Sequence, residues 1–338
     1  MKTGIQSYGF YIPQYRIRIA DIAQAWGKNT GEIEAALGVK EKTVATAAED
    51  SLTMAYESSS MAMDTSIQKI GALFFGTESP AYAVNPSSTI LGELLNIGNH
   101  YLAYDTQFAC KAATGAIISG LALVESDQIE SALIVASDKA TGKPHDALEY
   151  TAASGSVSVI VGKKDPILEV EGWSSYSSDT PDFWRREGIK YPSHGGRFTG
   201  KPSYFKHIHG SVTDVLKKTK LEPTDFAHAV FHMPNGKFPV QIAAQLGFTR
   251  EQIHKSLIVS ELGNSYTASA LMGLVATLEH AKPGERILFA SYGSGAGSDA
   301  FIFRATNEIK KKKHAFAKKV NQKIYIDYST YLKYMRII

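Results

Sequence analysis

The second half of this chain of 338 residues repeats the pattern of its first half at an offset of 154 positions. The apolar run that ends before Glu78 aligns with the run that ends before His232. The apolar helix pattern after Cys110 aligns with the one after Asn264. A period of this length is too long for a solenoid repeat. We therefore predict an α/β fold made of two duplicated halves, residues 1–163 and 164–338.

Composition places the chain among ordinary globular proteins and excludes several classes. Hydrophobic residues make up 44% and charged residues 20%. Lys plus Arg (36) nearly balances Asp plus Glu (33), and a net charge of +3 does not indicate nucleic-acid binding. Apolar runs fall short of the roughly 20 residues that span a bilayer. The first residues are typical of a strand rather than a signal peptide, so we expect a cytoplasmic protein.

The chain has one cysteine, Cys110. A single cysteine excludes an internal disulfide and a thiolate-cluster metal site, and we predict no metal ion. A lone cysteine is most often a small buried apolar residue, and only its surroundings can indicate a chemical role.

Strand-like and helix-like runs alternate through both halves, which is typical of α/β layers with mostly parallel strands. Helices are predicted at 51–64, 89–95, 114–124, 204–218 and 267–278, and strands at 70–75, 101–104, 133–137, 156–161, 167–173, 226–231, 256–259, 287–291 and 299–303. An insertion at about 174–203 interrupts the second half and is rich in Gly, Ser, aromatic and basic residues. Long loops in compact domains are more often functional than not.

The C-terminal thirty residues are basic and aromatic, with a lysine run at 310–313 and tyrosines at 325, 328, 331 and 334. Such a run is usually a solvated helix face or tail. The alternative is that it binds an anionic cofactor.

Four polar residues follow the ends of predicted strands: Glu78, Cys110, His232 and Asn264. Loops at the carboxyl edge of a parallel sheet converge on a crevice where ligands bind. Because the halves are duplicated, we expect these four side chains to lie around one cleft.

Cys110 stands at a predicted strand-to-helix turn, where the helix N-terminus would stabilise a thiolate and lower its pKa. Backbone N–H groups of the same turn could hold an oxyanion. His232 is either a structural residue or an acid or hydrogen-bond donor to a carbonyl. Glu78 is either an ordinary loop carboxylate or an acid/base. Asn264 is either a helix cap or a second hydrogen-bond donor to a carbonyl.

Three of these residues lie within longer motifs: Gly76-Thr-Glu-Ser, Gly263-Asn-Ser-Tyr-Thr-Ala-Ser and Phe231-His-Met-Pro-Asn-Gly-Lys237. Together with the duplicated halves they resemble the thiolase superfamily, and within it the short, archaeal-type hydroxymethylglutaryl-CoA synthases. The run from Asp182 to Gly200 and the Tyr-rich C-terminus are similar to the same enzymes. The resemblance covers essentially the whole chain and implies a thiolase-like αβαβα layered fold.

The resemblance implies the condensation of acetyl-CoA with acetoacetyl-CoA and water to 3-hydroxy-3-methylglutaryl-CoA in the mevalonate route to isoprenoids. Cys110 would carry the acetyl group and Glu78 would take a proton from its methyl group. His232 and Asn264 would polarise the ketone of the acceptor. No metal or organic cofactor is expected.

The resemblance also implies residues that meet CoA. Ser294 lies in a Gly-Ser-Gly turn similar to the family's second oxyanion-side turn, and Arg197, Thr199 and Lys237 match positions that would meet CoA; Thr151 is assigned to the same substrate-binding set. Lys111 stands where bacterial and eukaryotic members commonly have an aromatic residue, so the resemblance does not predict the details of the acyl pocket.

Three alternatives remain. A ketoacyl synthase III-like enzyme would use Cys110, His232 and Asn264 without needing Glu78. A β-branching enzyme that takes acyl carrier protein would use the same Glu, Cys and His. A non-catalytic acyl-CoA-binding subunit of a thiolase complex would leave Cys110 without a chemical role. By resemblance we expect a homodimer, with an acetoacetyl-CoA thiolase and a small bridging protein as candidate partners.

Overall fold

The structure is a computed structural model that describes residues 2–63, 69–311 and 315–338; of Arg197 it describes the backbone. The strands are β1 (Gly4–Tyr11), β2 (Tyr15–Arg18), β3 (Glu41–Val44), β4 (Ile70–Gly76), β5 (Leu102–Thr106), β6 (Ser131–Lys139), β7 (Ser154–Gly162), β8 (Leu168–Ser177), β9 (Phe183–Trp184), β10 (Ser193–His194), β11 (His228–Phe231), β12 (Arg286–Ala290), β13 (Gly297–Ala305) and β14 (Ile324–Tyr325).

The helices are α1 (Ile19–Ala25), α2 (Thr30–Leu37), α3 (Ser51–Met63), α4 (Ser87–Leu94), α5 (Ala112–Glu125), α6 (Lys206–Thr219), α7 (Phe238–Gln245), α8 (Arg250–Ile253), α9 (Val259–Leu262), α10 (Thr267–Leu278), α11 (Phe316–Asn321) and α12 (Tyr328–Tyr334). None of the described helices is both long and apolar enough to cross a membrane.

Nine strands form one sheet in the order β11-β12-β13-β8-β1-β7-β6-β4-β5. From the centre outwards, β8-β13-β12-β11 repeats the order of β1-β7-β6-β4, and β1 meets β8 as an antiparallel pair. The sheet therefore has the mirrored order that a duplicated α/β unit produces. A second sheet, β14-β2-β3, joins the C-terminal segment to the N-terminal one.

Helices and sheet form five layers. Helix α10 contacts β6 and β7 of the first half and β11 and β12 of the second, with α5 beside it. Every residue of α10 is buried, as expected of a helix apolar on all sides that lies between two sheet layers. Helices α3 and α4 cover the outer face of the first half, and α6 and α7 cover that of the second.

Two predictions about the strands are wrong. The sheet is mixed, because five of the eight strand pairs described are antiparallel and three are parallel. Residues 256–259 form no strand; a 3₁₀ turn at His254–Ser256 is followed by α9. Short apolar runs fit a strand and a buried helical turn equally well, so periodicity could not separate them.

Candidate active site

Cys110 lies in the turn between β5 and α5 and its side chain is buried. The residue before it, Ala109, has a φ of +46°, in the left-handed region that non-glycine residues rarely adopt. Gly76, at the end of β4, permits close packing against this turn, because a Cβ there would meet the backbone N of Ala113 at 2.6 Å. Glu78 is thereby brought next to the thiol.

The side chains of Glu78 and Cys110 lie close together inside the protein, so that each shifts the pKa of the other. The carboxylate oxygen Oε1 of Glu78 is buried and has no hydrogen-bond partner among the described residues. An acceptor that is buried and unpaired is costly for folding, and such groups cluster where function requires them. Glu78 thus keeps a free carboxylate oxygen beside the thiol.

Asp138 holds the Glu78 loop in place from the end of β6. Its Oδ1 accepts hydrogen bonds from Thr77 Oγ1 (2.8 Å), Glu78 N (2.7 Å) and Ser79 Oγ (2.7 Å). Its Oδ2 accepts from the N–H (3.0 Å) and the hydroxyl (2.6 Å) of Thr267, at the start of α10. One buried carboxylate therefore ties the Glu78 loop of the first half to the central helix of the second.

Burial controls the protonation of the Glu78–Cys110 pair. Together with the charge of Asp138, and against the opposing effects of Cys110 and Arg185, burial raises the pKa of Glu78 to about 8. Burial also raises the pKa of Cys110 well above its usual value, with the charge of Glu78 adding to the effect. The expected thiolate at a helix N-terminus is therefore wrong, because α5 begins only at Ala112 and desolvation outweighs the helix dipole.

His232 directly follows β11 and is 1% exposed. Burial lowers its pKa to about 3, so its imidazole is neutral at physiological pH. Its Nδ1 is buried without a hydrogen-bond partner among the described residues. Tyr204 fixes its backbone by donating its hydroxyl to the His232 carbonyl at 2.6 Å. The ring is a neutral group with hydrogen-bonding capacity to spare.

Asn264 follows α9 rather than a strand, and its backbone is bound on both sides. Its N–H donates to the carbonyl of Thr151 at 2.8 Å, and its own carbonyl accepts from the N–H of Ala153 at 2.9 Å. Its side-chain Oδ1 accepts the N–H of Tyr266 at 3.0 Å. Because the oxygen is used in this turn, the amide N–H groups are what the side chain can offer to a ligand.

One cavity of about 270 Å³ joins these groups, and Cys110, His232 and Asn264 all line it. Thr151, Thr199 and Ser294 line it too, with Phe183 and His194 from the 174–203 insertion. Glu78 is not part of the cavity wall and lies beside Cys110, which is. Three of the four strand-end residues thus face one space, with the fourth behind the thiol.

The remaining predicted residues occupy different places. Ser294 hydrogen-bonds to Asp182 Oδ2 and to the Tyr292 hydroxyl, both at 3.3 Å. Thr199 donates to the carbonyl of Gly196 at 2.9 Å. Lys237 is exposed at the start of α7 and lies outside the cavity lining, although its neighbours Asn235 and Phe238 are part of it. The side chain of Arg197 lies outside the described residues, as do Lys312 and Lys313 of the lysine run.

Sequence reasoning missed Asp138, Tyr266 and the partner of Lys111. Asp138 comes directly after a predicted strand, and the same strand-end signal could have identified it. The Lys111 ammonium does not line the cavity; it pairs with Asp299 Oδ1 (2.9 Å) and Oδ2 (2.8 Å) in the interior. Among the described residues, no three His, Cys, Asp or Glu side chains are grouped as a metal site.

The duplicated α/β fold and the buried Glu–Cys–His–Asn set define an acyl-transferring condensing enzyme of thiolase-like architecture. Residues 1–166 match the family model "Hydroxymethylglutaryl-coenzyme A synthase N terminal". Residues 216–305 match the model "3-Oxoacyl-[acyl-carrier-protein (ACP)] synthase III C terminal".

Similar proteins cover the chain almost completely. A hydroxymethylglutaryl-CoA synthase of Archaeoglobus fulgidus is 47% identical over 340 residues, which are 99% of this chain and 99% of that protein. One of Methanopyrus kandleri is 45% identical over 338 residues, covering 98% and 97%. A crystal structure of an HMG-CoA synthase complexed with CoA matches with a TM-score of 0.91 and 25% identity, covering 99% of this chain and 90% of that one.

The HMG synthase of the curacin biosynthetic pathway, solved with holo donor-ACP, matches with a TM-score of 0.88 over 99% of this chain and 88% of that chain. Its identity is 18%, so this likeness concerns the fold alone. The predicted thiolase-like layered fold is confirmed. The chain belongs to the hydroxymethylglutaryl-CoA synthase family.

Proposed function

We propose that this protein condenses acetyl-CoA with acetoacetyl-CoA and water to give 3-hydroxy-3-methylglutaryl-CoA and CoA, through an acetyl-Cys110 intermediate. The observation that carries the proposal is the buried Glu78 carboxyl beside the Cys110 thiol, at a cavity that Cys110, His232 and Asn264 line. The product would serve the mevalonate route to isoprenoids.

In the first step the sulfur of Cys110 attacks the thioester carbonyl of acetyl-CoA. The thiol proton passes to Glu78 as the S–C bond forms, and CoA leaves with a proton to complete its thiol. Because the pKa of Cys110 is raised, the nucleophile is generated only during attack. A Glu78 pKa of about 8 suits a group that must both accept and release a proton near neutral pH.

In the second step the carboxylate of Glu78 removes a proton from the acetyl methyl group, and the resulting enolate attacks the ketone of acetoacetyl-CoA. The neutral His232 ring and the Asn264 amide donate hydrogen bonds to the ketone oxygen, and the proton that Glu78 took from the methyl group passes to the alkoxide, which returns Glu78 to the carboxylate. Water then attacks the Cys110 thioester while Glu78 takes a proton from it and passes that proton to the sulfur, which restores the thiol and releases the product. These steps need only groups of this chain, so we propose that no metal or organic cofactor takes part.

The CoA contacts are proposed from position. Thr151, Thr199 and Ser294 line the cavity and can meet the thioester end of the substrates. We propose that Lys237, at the start of α7 beside two cavity residues, and Arg197, in the 3₁₀ turn Gly196–Thr199, attract the CoA phosphates. Substituting either cation should raise KM for both CoA substrates and leave kcat nearly unchanged.

We further propose a homodimer in the cytoplasm. Edge strand β5 carries exposed Leu102 and Tyr104, and unpaired edges with apolar side chains favour pairing with a second copy. A nucleophile that depends on one free thiol suits a reducing compartment. An acetoacetyl-CoA thiolase and a small bridging protein remain proposed partners, to be tested by co-purification.

The test is mass spectrometry of a reaction with acetyl-CoA and acetoacetyl-CoA, run with wild type, Glu78→Ala and Cys110→Ser. Wild type should form the product. Glu78→Ala should form the acetyl adduct on Cys110 more slowly than wild type, because the thiol proton has lost its acceptor, and should then hold the adduct without giving product. Cys110→Ser should give neither. A wild-type adduct without product would contradict the proposed acceptor and point to a carrier-bound one, whereas product from Cys110→Ser would contradict the covalent route.

The alternatives differ in their need for Glu78. A ketoacyl synthase III-like reaction would proceed in the Glu78→Ala variant, and the match of residues 216–305 to that family's C-terminal model makes this control worth including. The position of the buried Glu78 carboxyl beside Cys110 favours the synthase reaction, as does full-length similarity to hydroxymethylglutaryl-CoA synthases. A non-catalytic subunit would bind acyl-CoA without any adduct on Cys110.

A further inference from the structure

Behind the cavity lies a fully buried lysine that the proposed reaction does not use. Lys42, on β3, is 1% exposed. Its ammonium donates hydrogen bonds to the carbonyl oxygens of Glu149 and Ala152 (2.9 Å for Ala152) and to the hydroxyl of Tyr331 at 3.1 Å. All three acceptors are uncharged. A buried ammonium without a bonded carboxylate is costly to fold, so stability alone does not account for it.

The carbonyls that Lys42 holds belong to residues 147–153, which we call the pocket wall because Ala147, Leu148 and Thr151 line the cavity. The pocket wall binds the backbone of Asn264 through two hydrogen bonds. Thr151 accepts the N–H of Asn264, and Ala153 donates to the Asn264 carbonyl. Ala152, whose carbonyl Lys42 binds, lies between these two contacts.

Lys42 also packs directly against the turn that precedes Asn264. A Cβ on Gly263 would lie 2.7 Å from the Cβ of Lys42, so the backbone touches the lysine stem. The next residue of β3, Thr43, donates to Ser154 O at 2.5 Å and approaches Leu262 O at 3.2 Å. Strand β3 therefore clamps both the pocket wall and the Asn264 turn.

The outer support of this arrangement is the Tyr-rich C-terminus. Tyr331 of α12 is buried with its ring under the Lys42 ammonium, 4.6 Å from its centre. One turn earlier, Tyr328 donates to Glu149 Oε1 at 2.7 Å, and Trp26 donates to Glu149 Oε2 at 3.0 Å. The spacing of three residues places Tyr328 and Tyr331 on the same helix face, towards the pocket wall.

We propose that Lys42 and Tyr331 are positioning residues of the active site, which hold the Asn264 amide in the geometry required for condensation. The C-terminal helix thereby becomes part of the catalytic scaffold. The inference rests on the proposed function, because it assigns Asn264 to the attack on the ketone and not to acetylation of Cys110.

The experiment measures two rates in full-length Lys42→Met and Tyr331→Phe: acetylation of Cys110 by acetyl-CoA, followed by mass spectrometry, and formation of the condensation product. Condensation should fall about 10-fold in each variant, since misplacement of a catalytic group by a fraction of an ångström costs rates of this order. Cys110 acetylation should stay within about 2-fold of wild type, because the Glu78–Cys110 pair is held by other contacts. Asn264→Ala gives the full size of the effect for comparison.

The matched control is Tyr334→Phe, the same substitution one turn further along α12. The Tyr334 ring packs against Tyr15, 5.4 Å between ring centres, and the hydrogen bonds of Lys42 go to Glu149, Ala152 and Tyr331 instead. It should leave both rates unchanged.

Equal loss of both rates in Tyr331→Phe would mean general weakening of the fold and would overturn the inference, as would wild-type condensation in that variant. If Lys42→Met does not fold, Tyr331→Phe decides the question alone. Absence of product from wild type would instead refute the proposed function.

Discussion

The ion pair of Lys111 with Asp299 should be among the most sensitive points of the molecule. The side chains are 6% and 0% exposed, and the ammonium contacts both carboxylate oxygens. Thr114 Oγ1 (2.6 Å) and Ser175 Oγ (2.7 Å) donate to the same carboxylate. Since Lys111 follows Cys110 directly and Asp299 belongs to β13, the pair connects the nucleophile turn to the second half.

Removing one partner leaves the other charge buried and unpaired, which costs about 3–5 kcal/mol in comparable sites. We expect losses of this size for Lys111→Met and for Asp299→Asn. The double variant leaves no buried charge, so it should lose clearly less stability than the two single variants lose together. The coupling energy between the two side chains should be about 3 kcal/mol. The exposed pair of Lys218 and Asp214 on α6 is the matched control and should couple by about 0.5 kcal/mol or less.

The assay is chemical denaturation of the four proteins of each cycle, with Cys110 acetylation measured in parallel. The stability loss should be accompanied by slower acetylation in Lys111→Met, because the turn around Ala109 and Cys110 loses its tie to β13. For the exposed control, single variants should lie within roughly 1 kcal/mol of wild type in the free energy of unfolding. If Lys111→Met and Asp299→Asn also lie within about this range, the reasoning from burial is refuted.

Three further predictions concern the same site. The pKa of Glu78 is raised to about 8 in the folded protein, so between its ordinary pKa and pH 8 the folded state holds a proton that the unfolded state has released, and stability falls as pH rises. In thermal or urea unfolding, wild type should lose up to about 1.4 kcal/mol of stability per pH unit relative to Glu78→Gln. Parallel stability curves of the two proteins would contradict this. Asp138→Asn should lower stability by about 2–4 kcal/mol and slow Cys110 acetylation, because the new amide NH₂ group faces hydrogen-bond donors that need an acceptor. Unchanged acetylation would show that Asp138 does not position Glu78. Gly76→Ala should lower stability by about 1–3 kcal/mol and slow Cys110 acetylation, since the new Cβ would meet Ala113. Unfolding at the wild-type midpoint would show that the turn around Cys110 can shift without cost.

The sequence predicted the fold best where patterns were long. Helix α10 was predicted at its observed residues because eight of its twelve residues are apolar over more than three turns, and the repeat predicted the duplicated α/β halves that the mirrored sheet order shows. Strand direction was not predictable from the alternation of runs, because the repeat says nothing about whether β7 returns antiparallel to β6. The four-residue run at 256–259 was too short to identify.

Within the site, the positions of the residues were predictable but their states were not. Cys110 and His232 follow strands and line one cavity as expected, and Asn264 lines it although it follows a helix. Glu78 was expected to line the same cavity and does not. The thiolate expectation failed because a local rule about helix N-termini was applied to a thiol whose burial and carboxylate neighbour appear only in the folded chain. The supports Lys42, Asp138 and Asp299 act through contacts far apart in sequence, which no spacing reveals.

The duplication explains how one cavity obtains chemically opposite groups. Glu78 and His232 occupy equivalent places after β4 and β11, and both are buried. Burial acts on them with opposite sign, since it raises the pKa of the carboxyl and lowers that of the imidazole, and in both cases it favours the uncharged form. The resting site therefore has a carboxyl group near its pKa beside Cys110 and, in the cavity wall, an imidazole that does not compete for its proton. A charged His232 would stabilise the Glu78 carboxylate and lower its basicity towards a methyl group, so the neutral imidazole is as necessary to the proposed proton abstraction as the raised pKa of Glu78.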